Sequence, residues 1–396
     1  MHLPMVFENM FKDTDHQVVE YLQELVQAPG LAGDLEAVTD VALKWMRELG
    51  FDDVWRDEVG NVIGRRKGSK PGPKVIFDAH TDTVEVGDRD AWVHDPFGGE
   101  VSDGKLWGRG STDDKGSLAA FTVALAALER DSFAGEVFAV GTVGEELLEG
   151  AALESVLDAI QPDGVVIGEP TDCRLGIGHK GRCRVTFSAG GKSAHSSSPE
   201  VGENAIDKAV EIIRRVGQIS PVEDPLLGLS VMEPIHISSL PSPSISTIPY
   251  ACEVIFDRRM VRGETRQNVL EIHRQALDGL QGWAVDYDKL SIDCYTGANI
   301  TRKDFHPAWA IEPDSPWVQL ALEGLKKVGF SPQTYGTPYC TNGSGSAGER
   351  GLPTIVFGPG SVHVAHVTNE YIEIPELVRS VNGFMGIAQY LSQIEA

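Results

Sequence analysis

Apolar residues recur at three-to-four spacing over residues 15–26 (Val18, Tyr21, Leu22, Leu25) and 35–49 (Val38, Val41, Trp45, Leu49), the period of amphipathic helices. A hairpin is expected over 54–65, where Val59-Gly60-Asn61 supplies turn residues between two β-prone runs. The run 75–79 is nearly all apolar, as a strand covered on both faces must be. After a loop rich in Gly, Asp and Pro, helical spacing resumes over 117–130, and strand, helix and strand follow at 137–143, 151–160 and 164–167. Alternation of this kind predicts an α/β fold built on a mixed, mostly parallel sheet with helices on both faces.

The pattern changes near Lys180. Residues 182–189 alternate as a half-buried strand, 203–216 are helical, 235–239 and 251–258 are strand-like, 265–280 helical and 283–294 strand-like. Two helices among four strands in that order predict an inserted α+β unit of the split β-α-β, ferredoxin-like kind. A Pro-rich segment at 306–316, a helix at 317–328 and an apolar run at 354–357 return the chain to its first pattern. The expected division is therefore a first domain of residues 1–178 and 295–396, interrupted by a second of residues 179–294.

Composition narrows the function classes. With 41% hydrophobic and 23% charged residues, the 396-residue chain has ample material for a core, which excludes disorder. A formal net charge of −24 repels phosphate backbones and anionic lipid, so neither nucleic acid nor a membrane surface is an expected partner. No apolar run is long enough to span a bilayer, and residues 1–17 lack the basic start and apolar core of a signal peptide, so a cytoplasmic location is expected. Five cysteines without a C-x-x-C pair read as free, buried thiols.

Four apolar runs end in groups that bind metals. The run 74–79 precedes His80-Thr81-Asp82, 137–143 precedes Glu145-Glu146, 165–168 precedes Glu169, and 354–357 lies shortly before His363 and His366. In an open α/β sheet, ligands bind in the crevice beyond the strand C-termini. Carboxylates and imidazoles gathered there need a cation to offset their desolvation and mutual repulsion. His80 and Asp82, two residues apart, share a strand face, and Asp82 is a candidate partner for the second ring nitrogen of a ligating His80. Of Glu145 and Glu146, one can bind metal while the other serves as general base. The turn Gly108-Arg109-Gly110-Ser111-Thr112-Asp113-Asp114-Lys115-Gly116 is glycine-rich, yet its two acids repel phosphate and welcome a cation. His195 taken alone is an ordinary surface histidine.

The full set is His80-Thr81-Asp82, Gly108-Arg109-Gly110 through Asp113, Glu145-Glu146, Gly168-Glu169-Pro170, Ala194-His195, and Gly358-Pro359-Gly360 with His366. In order and over nearly the whole chain, it resembles the dinuclear zinc aminoacylase and peptidase family of acetylornithine deacetylase, succinyl-diaminopimelate desuccinylase and carboxypeptidase G. Glu169-Pro170-Thr171-Asp172-Cys173, Ser242-Pro243-Ser244, Asp257-Arg258-Arg259 with Gly263-Glu264-Thr265, and Thr341-Asn342-Gly343 resemble the branch linked to selenium metabolism.

The resemblance implies a metal-dependent hydrolase, a deacylase or deacetylase, that cleaves an amide of a small N-acyl amino acid or related molecule. A dipeptidase or carboxypeptidase, and an inactive metal-binding relative, are the alternatives. It implies two Zn²⁺ per subunit, with Co²⁺ or Mn²⁺ as substitutes: one held by His80 and Glu169, the other by Glu146 and His366, and Asp113 bridging them. A hydroxide between the zincs attacks, Glu145 is its base, Asp82 supports His80, and a cis peptide joins Asp113 to Asp114. His195 reaches the site of a partner subunit in a homodimer formed through the inserted domain and stabilises the oxyanion. Arg259 binds a substrate carboxylate, with Arg258 on the opposite face of its strand, and Asn342 also contacts substrate. Two departures stand out. Ser246-Thr247-Ile248-Pro249 replaces the Asn-Val-Ile-Pro common in the deacetylases, and Asp114 replaces a frequent methionine, adding charge that would favour a substrate with a cationic amine.

Overall fold

The computed structural model describes residues 13–31 and 33–394; residues 1–12, most of the segment read above as lacking a leader, lie outside them. Its nine-stranded central sheet runs in the order Asp53–Arg56, Val62–Lys67, Ala134–Thr142, Lys70–His80, Gly164–Ile167, Thr354–Val356, Leu175–His179, Trp309–Ala310, and Thr334–Thr337 also pairs with Leu175–His179. The four strands Ala134–Thr142, Lys70–His80, Gly164–Ile167 and Thr354–Val356 are parallel to one another, and antiparallel neighbours flank them. Their C-terminal ends therefore share one edge of the sheet.

Side chains alternate across these strands with period two. Val75, Phe77 and Ala79 join the core on one face, and Ile76 joins the core on the other. Helices Lys115–Ala127 and Ile374–Leu391 cover the first face, and Leu153–Ile160 the second. Coverage on both faces is why the central strands read as continuous apolar runs rather than alternating ones.

The helix Ile374–Leu391 carries no predicted counterpart in the pattern read above. Of its glycines Gly383 and Gly386, the second lets it lie against Pro316–Lys327: a Cβ on Gly386 would stand 2.5 Å from the Gly324 carbonyl oxygen. The same glycines, with Asn382 and Ser380, weaken its local helical signal.

A second, antiparallel sheet has the order Val231–Leu240, Ala251–Met260, Gly181–Gly190, Trp283–Tyr287, with helices Ala205–Val216 and Arg266–Ala276 packed on a core of its own. Numbered along the chain, these four strands lie across the sheet in the order 4-1-3-2, the split arrangement expected. The end of this unit differs from the expected boundary at 294. Ile292, Cys294 and Ile300 of the hairpin Lys289–Asp293/Asn299–Lys303 pack into the first core, after which Phe305–His306 pairs back onto Gly181–Gly190. The chain rejoins the central sheet only at Trp309.

Candidate metal centre

The shared edge of the parallel strands gathers the expected ligands. His80 ends its strand, Glu145 and Glu146 follow Ala134–Thr142, Glu169 follows Gly164–Ile167, and Asp113 precedes the helix Lys115–Ala127. Asp113 offers Oδ1 to His80 Nε2 at 2.9 Å and Oδ2 to His366 Nε2 at 3.1 Å. His366 Nε2 also lies 3.0 Å from Glu146 Oε1, and Glu145 Oε2 lies 3.9 Å from His80 Nε2. One donor atom each from His80, Asp113 and Glu146 falls within 4.8 Å of the others, as does one each from His80, Asp114 and Glu169. His363 does not line the cleft; His366 does. The peptide between Asp113 and Asp114 is cis.

Asp82 acts otherwise than expected. His80 Nδ1 bonds the main-chain carbonyl of Asp82 at 2.8 Å, while the Asp82 carboxylate, 3.7 Å away, accepts from the N–H groups of Glu145 and Glu146 at 3.1 Å each. Its carboxylate thus fixes the turn carrying both glutamates, because two main-chain donors compete for it at shorter range than the ring.

Glu370, absent from the sequence reading, and Arg109 and Lys115, given no role by it, hold the centre in place. Glu370, fully buried, accepts from Arg109 at 2.6 Å and from the N–H groups of Thr112 and Asp113 at 3.0 and 3.1 Å, pinning the loop that presents Asp113. The buried Lys115 ammonium donates to the Leu25 and Ala28 carbonyls at 2.9 Å, using acceptors left free at the end of the first helix. Neither contact has a local sequence signal, since each partner lies far along the chain.

The electrostatics require positive charge. Burial, reinforced by neighbouring acids, pushes the Glu145, Glu169 and Asp114 carboxyls well above their usual range, against the pull of His80. Burial opposes protonation of His80, yet Asp113, Glu145 and Asp82 hold its pKa well above normal. Hydrogen bonds to Asp113 and Glu146 raise His366 to about 10. Asp113 is held below the carboxylate range, because the bonds from His366 and His80 outweigh its burial. Five carboxylates (Asp113, Asp114, Glu145, Glu146, Glu169) thus face two imidazoles, and neither Asp114 oxygen has a hydrogen-bond partner. Imidazole nitrogens with carboxylate oxygens suit a divalent transition metal, so the donor set fits the cations the family resemblance implies.

A cleft of about 570 Å³ opens beside this cluster toward the second sheet, walled by Glu145, Glu146, Glu169, His366 and, from the other side, Arg182, Arg184 and Arg259. Period two explains the arginines: Cys183 and Val185 point into the second core, which turns Arg182 and Arg184 to the cleft. That alternation was visible in the sequence. Arg259 reaches the cleft with Nε on Asp257 at 2.9 Å, while Arg258 is buried against Glu264.

Three expected residues lie elsewhere. Asn342 is buried, donates to Asp78 and Thr142 at 2.9 and 2.8 Å, accepts from Gly150 N–H at 2.6 Å, and does not line the cleft. Its amide is already occupied, so it serves the strand ends and not a substrate. Asp114 is fully buried and also absent from the cleft wall, so it presents no acid to a cationic substrate. His195 is exposed on its loop, bonded to Ser197 at 2.7 Å, outside the cleft of its own chain.

An α/β sheet that collects imidazoles and carboxylates at its parallel strand ends, under an arginine-lined cleft, defines a metal-dependent hydrolase. Residues 76–390 match peptidase family M20/M25/M40, and the chain belongs to that family. It is 33% identical over 374 residues to the uncharacterized protein YgeY of Escherichia coli K12, covering 91% of this chain and 90% of that one. It is 28% identical over 382 residues to acetylornithine deacetylase of Photorhabdus laumondii, covering 90% of this chain and 92% of the relative. In structure it is similar to aminopeptidase PepT of Bacillus cereus, with a TM-score of 0.73, 19% identity, and 96% and 99% of the two chains covered.

Proposed function

We propose that the protein is a dinuclear zinc amidohydrolase acting on a small N-acyl amino acid or a related molecule. The observation that carries this reading is Asp113, which turns one oxygen to His80 and the other to His366 with Glu145 buried alongside. His80 and Glu169 would hold one Zn²⁺ and Glu146 and His366 the other, with Asp113 between them; Co²⁺ or Mn²⁺ could substitute. Bound there, the metals would polarise an amide carbonyl and make a water acidic near neutral pH. Glu145 takes the proton released by the attacking water and returns it to the departing amine. Arg259, engaged only through Nε, keeps the rest of its guanidinium fork for a substrate carboxylate.

A homodimer through the second sheet completes the proposal. Its edge strand Val231–Leu240 has one side unpaired and exposes Val231, Ile235, Ile237 and Leu240 over its two faces, apolar surface that a second copy would cover by pairing along the edge. His195, outside its own cleft, would then reach the partner's and donate to the developing oxyanion. A cytoplasmic location is proposed from the five free, buried cysteines.

The test is a panel of N-acyl amino acids and dipeptides against zinc-loaded protein. Glu145→Gln should abolish turnover while retaining metal by elemental analysis. Mixed Glu145→Gln and His195→Ala subunits should regain partial activity if the site is shared. No cleavage of any amide by the loaded wild type, with full metal content, would overturn the hydrolase; cleavage of dipeptides alone would make it a dipeptidase.

A further inference from the structure

A second cavity, of about 430 Å³, adjoins the metal cleft and shares Glu146 and Leu147 with it. Its lining is mostly apolar and includes Leu35, Val84, Val143, Leu147, Ile292 and Tyr295. The hairpin Lys289–Asp293/Asn299–Lys303 forms the far wall and is pinned to the first domain. Tyr295 donates to the Gly60 carbonyl at 2.8 Å under the Arg56 guanidinium, and Thr296 donates to the Glu58 carbonyl at 2.7 Å. Gly144 sets the spacing of that wall, since a Cβ there would stand 2.5 Å from Ile292 Cδ1. A rigid, preformed apolar space beside the reacting groups has the character of a ligand subsite.

Charge separates the two cavities. Arg182, Arg184 and Arg259 line the metal cleft, whereas no lysine or arginine lines the second cavity, whose charged residues are Asp82, Glu85, Glu146 and Asp293. The Asp82 carboxylate is occupied by the Glu145 and Glu146 N–H groups, and the rest of the set repels anions. Arg182 is taken up by Glu149 and Asp304, and Arg184 by Asp304, so a substrate spanning both places its carboxylate at Arg259 and an uncharged group in the apolar space, with the amide between them at Glu145 and Glu146. From this continuity we infer that the acyl group of the substrate is a bulky apolar one, aromatic or branched, held in the second cavity. Acetyl is too small to fill it, and the free carboxylate of a succinyl group would meet its acids. The inference rests on the amide-hydrolase reading for the bond that is broken, while the cavity can be tested without turnover.

Two measurements test it. With zinc-loaded enzyme, kcat/KM for an N-benzoyl amino acid should exceed that for the N-acetyl and N-succinyl derivatives of the same amino acid at least tenfold. Val84→Trp and, independently, Leu35→Trp, each checked for native circular dichroism, should lower the benzoyl-to-acetyl ratio at least tenfold by filling the cavity. An equal or inverted preference in the wild type, or an unchanged ratio in whichever variant folds, would overturn the inference. If no amide is cleaved, the hydrolase reading fails by itself, and calorimetric binding of 5-phenylpentanoate decides the cavity. Binding at least tenfold tighter than acetate, lost in the filled variant, supports it; equal affinity for both acids, or for wild type and variant, refutes it.

Discussion

Glu370 offers the sharpest test of how the Asp113 loop is held. Its carboxylate and the Arg109 guanidinium are both buried, 2.6 Å apart, and its other oxygen accepts from the Thr112 and Asp113 N–H groups. Glu370→Gln keeps an oxygen for those two donors but turns an NH₂ toward Arg109, leaving a buried cation whose remaining hydrogen bond is to the Glu85 carbonyl at 3.2 Å. Removing one partner of a buried pair costs roughly 3–5 kcal/mol, because the survivor keeps its desolvation penalty without its counter-charge. That corresponds to a loss of about two to four powers of ten in the folding equilibrium constant. Urea unfolding of metal-free protein, followed by circular dichroism, measures this apart from metal binding. Replacing both members by apolar residues, Arg109→Met with Glu370→Leu, should recover most of the loss, since no unpaired charge remains. A Glu370→Gln penalty below about 1 kcal/mol would place the pair in the class of exposed bridges and refute the reasoning.

Asn342→Ala should strip partners from Asp78, Thr142 and Gly150 at once. At about 1–3 kcal/mol per buried group left unsatisfied, a fall in melting temperature is expected with little change in KM; the reverse pattern would restore a substrate role. His179 is fully buried and accepts the Thr341 N–H at Nδ1, and burial pushes its pKa down to about 4 despite its bond to the Pro307 carbonyl. The neutral ring is favoured in the folded state, so its contribution is present above about pH 6.5 and lost as pH falls toward 4, roughly 3 kcal/mol in all. Compared with His179→Gln, the wild type should lose stability more steeply over that window in urea titrations. Removing metal with a chelator should lower the melting temperature, since repulsion among the clustered carboxylates is then uncompensated. A free divalent ion at 100 times its Kd should restore about 2.7 kcal/mol, and no shift on chelation would exclude binding at this cluster.

The sequence by itself determined the elements whose burial shows in their period. The central strands, the 4-1-3-2 second sheet, and the delivery of His80, Glu146 and Glu169 to one edge follow from apolar runs and from the rule that parallel strands share their C-terminal side. Tertiary structure alone decided which groups those residues meet. Asp82 serves the glutamate turn instead of the ring, Asn342 is consumed by three strand-end contacts, and Glu370 holds a loop 257 residues away. The helix Ile374–Leu391 depends on glycine contact with a neighbouring helix, and the apolar cavity on a hairpin folded back from beyond the second sheet. Local pattern records how deeply a residue is buried, because solvent exposure repeats with the backbone period. It carries no record of the partner, because hydrogen bonds and ion pairs are chosen by distances that only the folded chain establishes.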